Sequence, residues 1–143
     1  MADVVYLDQN QIYKAWRSYL LANTQARYFG VTNDKTVAKF PYSNLMMVGR
    51  PTNVTDLENH EITVDLTYQV DNYTDSEDVI ILYELDDACW AFFQELGFRR
   101  MGDSILSNVS NSNVKRVTSR FTLRNFNGRF LKDPSSYIPA DNV

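Results

Sequence analysis

Hydrophobic and polar side chains alternate without a break over residues 61–71. One side of this segment is polar, and the other carries Ile62, Val64, Leu66, Tyr68 and Val70. A period of two over this length is typical of a half-buried strand in an antiparallel sheet, because successive side chains point to opposite faces. Residues 114–125 alternate in the same way and predict a second such strand.

Two other segments repeat their apolar residues at helical spacing. The first covers residues 9–23, and Asp8 with Gln11 has the spacing of a capping pair at its start. Its apolar stripe consists of Ile12, Ala15, Trp16, Tyr19 and Leu20. We expect a helix that packs this stripe on the core and exposes its other side to solvent.

The second helical segment covers residues 75–96. Thr74 and Glu77 have the spacing of a capping box at its start, and Gly97 is typical of a C-terminal cap. The predicted core stripe of this helix is Ile81, Leu85, Ala88, Phe92 and Leu96. The segment is therefore expected to pack beside the first helix on the same sheet.

The side of the second helix away from this stripe is not fully polar. Tyr83 and Trp90 lie on one line, seven residues apart, with Asp86 and Asp87 between them. A surface helix normally keeps such a line charged. Two aromatic residues in this position indicate a second burial partner.

Shorter apolar segments predict further strands at residues 40–48 and from residue 98 to 101. Gly, Pro, Ser and Asn predict connections at residues 24–37, 52–59 and 102–113. The expected class is α+β: a small, mainly antiparallel sheet with both helices packed on one face, in the order helix-strand-strand-helix-strand-strand. The length of 143 residues suits a single domain, predicted over residues 1–131, with an irregular tail at 132–143.

Composition and net charge narrow the possible functions. The net charge of -4 argues against a generic nucleic-acid binder, which is usually basic. The start of the chain lacks the basic and apolar segments of a signal peptide, and no stretch approaches the ~18 apolar residues of a membrane span. One Cys and one His exclude an internal disulfide and a His/Cys zinc site within one chain. We expect a soluble protein without a cofactor or metal.

Charge is unevenly distributed along the chain. Residues 1–97 carry 6 basic and 15 acidic side chains, whereas residues 98–143 carry 8 basic and 3 acidic ones. Between residues 72 and 98 there are seven acids and no Lys or Arg. Two explanations remain open, because both satisfy the same attraction. The acidic helix lies on a basic strand of its own subunit, or its complement lies on a neighbouring subunit.

Catalytic constellations are weakly supported by the sequence. His60 is expected to be a solvated turn residue, and Cys89 is expected to be a small hydrophobic side chain in the second helix. Glu61, Asp65 and Asp71 share the polar side of one predicted strand and present the oxygen ligands of a hard cation. They define the candidate site of a metal-dependent nuclease, although this strand carries no Lys to manage a phosphate.

Three arginines share the polar side of the other alternating strand. Arg116, Arg120 and Arg124 follow one another at intervals of about 13 Å at strand rise, and the forks of their guanidinium groups match carboxylates and phosphates alike. Three interpretations remain open: contact with a phosphate backbone, pairing with carboxylates across an interface, and pairing within the sheet with the acidic residues of the first alternating strand.

Several sequence blocks resemble a known protein family. They are Phe40-Pro41-Tyr42 running to Gly49-Arg50-Pro51, Tyr68-Gln69-Val70-Asp71-Asn72-Tyr73, Glu95-Leu96-Gly97-Phe98-Arg99-Arg100, and the strand at residues 117–123. In their order and content these blocks resemble the tail terminator, or tail completion, proteins of long-tailed bacteriophages. The resemblance covers about residues 36–130, and none of its blocks is a catalytic signature.

The resemblance implies structural work in the virion and no catalysis. Proteins of this family have a small α+β fold and assemble as a ring, commonly of six subunits. The ring caps the finished tail tube, ends its polymerisation and joins it to the head-tail connector proteins. DNA passes through its centre without sequence-specific binding, and assembly takes place in the cytoplasm of the bacterial host.

A ring uses heterologous contacts, so each subunit needs two different and complementary patches. The acidic helix supplies one candidate patch and the basic segment after it supplies the other. The predicted interface with a neighbouring subunit or with the tube comprises Tyr83, Asp86, Asp87, Trp90, Arg99, Arg100, Arg116, Arg120 and Arg124. The alternatives are a neck or head-completion protein of similar fold, and the metal-dependent nuclease.

Overall fold

The computed structural model describes residues 7–30, 39–55, 61–108 and 113–139. Its helices are α1 (Gln9–Asn23) and α2 (Ile80–Leu96), and a 3-10 helix follows at Pro134–Tyr137. Its strands are β1 (Tyr28–Gly30), β2 (Tyr42–Gly49), β3 (Thr52–Thr55), β4 (Glu61–Thr74), β5 (Arg99–Asn108) and β6 (Lys115–Phe126). The order in the sheet is β1-β2-β4-β6-β5, and β3 pairs with β4. The class is α+β, as predicted.

Helix α1 has the bounds that the sequence predicts. The carboxylate of Asp8 accepts a hydrogen bond from the Gln11 amide at 3.1 Å, which satisfies one of the free donors of the first turn. The residues that α1 buries are Ile12, Ala15, Trp16 and Leu20. The local capping chemistry and the apolar stripe therefore suffice to define this helix.

Strand β4 is the centre of the sheet and confirms the alternating pattern. Val64, Leu66, Tyr68 and Val70 are buried, whereas the intervening residues from 63 to 69 are partly exposed. Strand β4 pairs antiparallel with β6 along one edge. Along its other edge it pairs antiparallel with β2 and, further along, with β3. The side chain of Ile62 lies outside the described part of the chain.

The element order differs from the prediction at two short strands. Strand β1 lies inside the predicted connection 24–37 and pairs parallel with β2, so the sheet is mixed, whereas the sequence predicted a mainly antiparallel one. Strand β3 lies inside the predicted connection 52–59. Neither strand is long enough to show a period of its own, and both form because a neighbouring strand offers free backbone groups. The remainder of these connections, at 31–37 and 56–59, lies outside the described residues.

The prediction of a loop at 102–113 is wrong for the first half of this segment. Strand β5 continues through Asn108 and pairs with β6, with a shift of register between Met101 and Ile105. Gly102 has a φ of 67° within this irregularity, a conformation that favours glycine. The polar composition predicted a loop, but pairing with β6 outweighs it. Residues 109–112 lie outside the described residues.

Helix α2 begins later than predicted, at Ile80. The residue proposed as its cap, Thr74, is the last residue of β4, and its hydroxyl accepts from the Ser76 amide at 3.2 Å. Ser76 and Asp78 then accept from the amides two residues further on, at 3.1 and 3.0 Å. These local side-chain bonds compete with helical ones and delay the helix. It ends as predicted at Gly97, whose φ is 105°.

Both helices lie on the same face of the sheet, as predicted. The Tyr68 hydroxyl donates to Gln9 of α1 at 2.7 Å, and its ring stacks on Phe93 of α2. Within the predicted irregular tail, the 3-10 helix packs the Tyr137 ring against Tyr19 and Phe92. The domain boundary at residue 131 stays a prediction.

Candidate subunit interface

Helix α2 exposes a row of large apolar side chains on its outer side. Ile80 is 60% exposed, Tyr83 44% and Trp90 39%. Leu106 of β5 is also 44% exposed, and its register opposite the buried Val117 places it on the helix side of the sheet. We refer to Ile80, Tyr83, Trp90 and Leu106 as the α2 band. Exposed apolar groups collected in this way are typical of protein interaction sites.

The α2 band lies beside an open edge of the sheet. Within the described residues β5 pairs with β6 alone, so the backbone groups along its other edge have no strand partner. Such an edge can accept a further chain, and proteins that remain monomeric usually protect it. The described structure therefore combines apolar area and unpaired backbone on one side of the subunit.

Asp86 does not belong to the exposed line on which the sequence analysis placed it. It is only 2% exposed, and its carboxylate accepts from the Ser119 hydroxyl and from Arg100 at 2.5 Å. The Arg100 guanidinium also lies 5.0 Å from the centre of the Trp90 ring, where a cation is attracted to the aromatic face. Asp86 and Arg100 thus pair inside the subunit, whereas Asp87 is exposed.

The prediction put Asp86 on the wrong side of α2 because the buried face of the helix is rotated slightly from the predicted one. The stripe that α2 buries is Leu82, Leu85, Asp86, Cys89, Phe92, Phe93 and Leu96. Ile81 and Ala88, which were predicted to be core residues, are only partly buried. The signal that identifies the true face is the spacing of Leu82, Cys89 and Leu96 in heptad steps. This spacing did not define the predicted face because the carboxylate of Asp86 lies within the same stripe.

The predicted arginines lie on the outer face of the sheet, opposite the helices. Arg116, Arg120 and Arg124 alternate with buried residues of β6, and Arg99 of β5 lies opposite Thr122 on the same face. Arg120 donates to the Gln69 side chain at 2.9 Å. In the described part of the chain, Arg99 and Arg124 have neither a hydrogen bond nor an ion pair.

Two carboxylates of β4, those of Asp71 and Asp65, accept hydrogen bonds from uncharged donors. Asp71 accepts from the Thr118 hydroxyl at 2.6 Å and from the side-chain Nε2 of Gln69 at 3.1 Å. Asp65 accepts from the Asn125 amide at 3.0 Å. Within the described residues, no ion pair joins Arg116, Arg120 or Arg124 to Asp65 or Asp71. The predicted pairing with Glu61 concerns a side chain outside the described part of the chain.

The described carboxylates of the nuclease alternative do not converge. Asp65 and Asp71 are six residues apart on β4, which places them about 20 Å from each other at the rise of a strand. One cation cannot bridge that distance. No three His, Cys, Asp or Glu side chains of the described residues come together as a metal site. His60 and the Glu61 side chain lie outside the part of the structure that is described.

Cys89 lies in the core between the two helices. It is fully buried, and the indole N–H of Trp16 donates to its sulfur at 3.4 Å. Burial is the largest cause that raises the pKa of the thiol, and hydrogen bonds from Trp16 and Asn72 lower it while the nearby Asp86 charge raises it; the resulting pKa is about 12. A thiol with so high a pKa is inert at neutral pH, as expected for a core cysteine.

The shifted pKa of Cys89 predicts a loss of stability at alkaline pH. In the unfolded chain this thiol ionises near its usual pKa of 9.0, whereas the folded protein keeps it protonated up to about pH 12. Its contribution is therefore complete below pH 9 and is lost as the pH rises towards 12. We expect the free energy of unfolding, measured with urea, to fall with rising pH. The Cys89 thiol contributes at most about 1.4 kcal/mol per pH unit to this fall.

The control for this measurement is Cys89→Ala. Removing the thiol lowers stability but should flatten the decrease between about pH 8.5 and 9.5, where most tyrosines of the unfolded chain are still protonated. An unchanged slope in Cys89→Ala would show that other groups cause the pH dependence.

None of the described helices is both long and apolar enough to cross a membrane. A scan against protein-family models and a search of curated proteins both gave no match for this chain.

Proposed function

We propose that this protein is a tail terminator of a long-tailed bacteriophage. It forms a ring, of six copies, on the end of the finished tail tube. The ring stops polymerisation of the tube protein and presents a surface to the head-tail connector, while DNA passes through its centre. The observation that carries the proposal is the α2 band beside the open edge of β5.

The α2 band has the composition of an interface core. Tyr83 and Trp90 are the residue types that most often dominate binding energy, because each buries a large rigid surface and keeps a polar group for hydrogen bonding. A stable interface buries about 800 Å² on each partner. The side chains of the α2 band and the β5 edge provide part of this area. Isolated exposed apolar residues are common, but three on one helix side with a fourth on the adjacent strand indicate a partner.

The two faces of the subunit differ in the way that a ring requires. The helix side carries the α2 band, and the opposite side of the sheet carries Arg99, Arg120 and Arg124. A dimer of two-fold symmetry uses one patch twice, whereas a ring joins one patch to a different patch of the next copy. Two unlike surfaces on opposite layers of the fold support the ring.

The first test is the oligomeric state in solution. We expect light scattering after size exclusion to give one discrete species of about 100 kDa, the mass of six 16.6-kDa subunits. Tyr83→Ala should dissociate this species, because alanine preserves the helix but removes a large part of the α2 band. Leu21→Ala is the matched control, since Leu21 is an exposed apolar residue of α1 outside the band, and should leave the ring intact.

The second test concerns the tail tube itself. Negative-stain images of the wild-type protein should show rings with a central opening, and its addition to polymerising tail tube protein of the same phage should limit tube length. Tyr83→Ala should do neither. A protein that remains monomeric or dimeric at every concentration, and leaves tube length unchanged, would contradict the proposal.

A further inference from the structure

Three arginines of the outer face form one cluster. Arg99 lies opposite Thr122, and Arg120 and Arg124 lie two residues to either side of Thr122 on the same face. Diagonal neighbours of this kind on adjacent strands are about 7–8 Å apart. We refer to Arg99, Arg120 and Arg124 as the outer arginine cluster.

The outer arginine cluster has unused hydrogen-bonding capacity. All three side chains are exposed. Arg120 uses its Nε on Gln69, and Arg99 and Arg124 have no polar partner among the described residues. Met101, which is opposite Arg120, adds an exposed apolar side chain to the same face. This surface can bind carboxylates through the guanidinium forks and still offer apolar contact.

A matching acidic segment precedes helix α2. Asp75, Glu77 and Asp78 are all exposed within four residues, and the first two have no polar partner in the described structure. The nearest lysine, Lys115, binds the backbone oxygen of Ser76 at 3.1 Å and not a carboxylate. The segment continues directly into Ile80, so it is contiguous with the α2 band.

The acidic segment and the outer arginine cluster cannot neutralise each other within one subunit. Lys115, which touches the acidic segment, begins β6. Arg120 and Arg124 lie five and nine residues further along that strand, and Arg99 of β5 lies opposite Thr122 between them. At the rise of a strand these separations are about 17 and 30 Å. Both exceed the screening length of about 8 Å at physiological salt. The intrasubunit explanation of the charge asymmetry therefore fails for these groups, although it holds for Asp86 and Arg100.

We infer that the acidic segment of one copy binds the outer arginine cluster of the next copy in the ring. This inference rests on the proposed function and identifies which surfaces meet. The α2 band then packs near Met101 of the neighbour, and the carboxylates form charge-assisted hydrogen bonds with the guanidinium groups. The charge pairs fix the register of the contact and reject a neighbour in the wrong orientation.

Charge reversal tests the pairing. The acidic variant is Asp75→Lys with Glu77→Lys, and the basic variant is Arg99→Glu with Arg124→Glu. Asp78 and Arg120 are left unchanged because each makes a hydrogen bond inside the subunit. Each variant should raise the concentration needed for half-assembly at least about tenfold. The four-substitution variant combines both reversals, restores opposite charges at the contact, and should assemble within about threefold of the wild type.

The control variant is Arg17→Glu with Lys39→Glu, which changes the net charge as much as the basic variant does but at positions packed on the rings of β1. It should assemble as the wild type does. Far-UV circular dichroism and an unreactive Cys89 thiol report that each variant is folded.

The outcomes separate the two proposals. Loss of assembly in both two-residue variants, with recovery in the combined variant, supports the pairing. Wild-type assembly of either two-residue variant, failure of the combined variant to recover, or an equal loss in the control overturns the pairing but leaves the ring standing. A wild-type protein that does not assemble overturns the proposed function and the pairing together.

Discussion

Phe93→Ala is expected to lower the free energy of unfolding by about 3–5 kcal/mol. Phe93 is fully buried, and its ring lies 4.9 Å from that of Phe121 and 5.1 Å from that of Phe98, measured between ring centres. It also contacts the rings of Tyr68 and Phe92. Truncation removes a contact that joins α2 to β4, β6 and the start of β5, and it leaves a cavity that these rings cannot close without moving.

The effect of Phe93→Ala can be measured by urea unfolding followed by far-UV circular dichroism. A domain of this size has a total stability of about 5–15 kcal/mol, so the loss is a large fraction of it. The matched control is Trp90→Ala, an aromatic of the same helix that lies in the exposed α2 band. That variant should lose about 1 kcal/mol or less, through its cation–π contact with Arg100. Equal losses in the two variants would contradict the packing described above.

Asp86→Ala is expected to destabilise the fold by about 2–4 kcal/mol. The substitution removes the acceptor of the Arg100 guanidinium and of the Ser119 hydroxyl and leaves both donors without it. Breaking a buried ion pair is costly because the remaining charge stays in a poorly solvated site. The Arg100 side chain is 27% exposed, so water recovers part of that cost.

Asp87→Ala is the control for Asp86→Ala, because the adjacent carboxylate is exposed. It should change the free energy of unfolding by less than about 0.5 kcal/mol. A double-mutant cycle with Arg100→Ala should give a coupling of at least about 1 kcal/mol between Asp86 and Arg100. If Asp86→Ala leaves stability unchanged and prevents assembly, then Asp86 faces a neighbouring subunit after all.

The sequence predicts the elements whose signals are local. Asp8 caps α1 and the apolar stripe behind it defines the buried side, so both ends of the helix follow from neighbouring residues. The strict alternation in β4 likewise identifies its buried face, because a strand has only two sides. Gly97 ends α2 for an equally local reason, its left-handed backbone.

The misplaced elements depend on partners that are distant in the chain. The short strand β1 forms only because β2 lies beside it, and β5 continues past Gly102 only because β6 supplies a ladder. The start of α2 depends on where β4 ends, since Thr74 belongs to the strand and not to the helix. Propensity within a short window cannot report such competition.

The residues of the candidate interface also differ in whether local sequence predicts their exposure. Tyr83 and Trp90 were predicted to be exposed from their position on α2, and they are. Asp86 was predicted to lie with them, but the pocket made by Ser119 and Arg100 holds its charge inside the subunit. A buried carboxylate looks like a surface residue in a sequence, because only its hydrogen-bond partners make its burial tolerable.

By itself the sequence determined the α+β class, the limits of α1, the buried face of β4 and the uneven distribution of charge. These features follow from side-chain period, capping residues and composition, which act over a few neighbouring residues. The tertiary structure alone decided that the sheet is mixed, that Asp86 is internal, and that the acidic segment lies far from the outer arginine cluster. Those properties depend on which strand pairs with which, and that choice is made by contacts between residues distant in the chain.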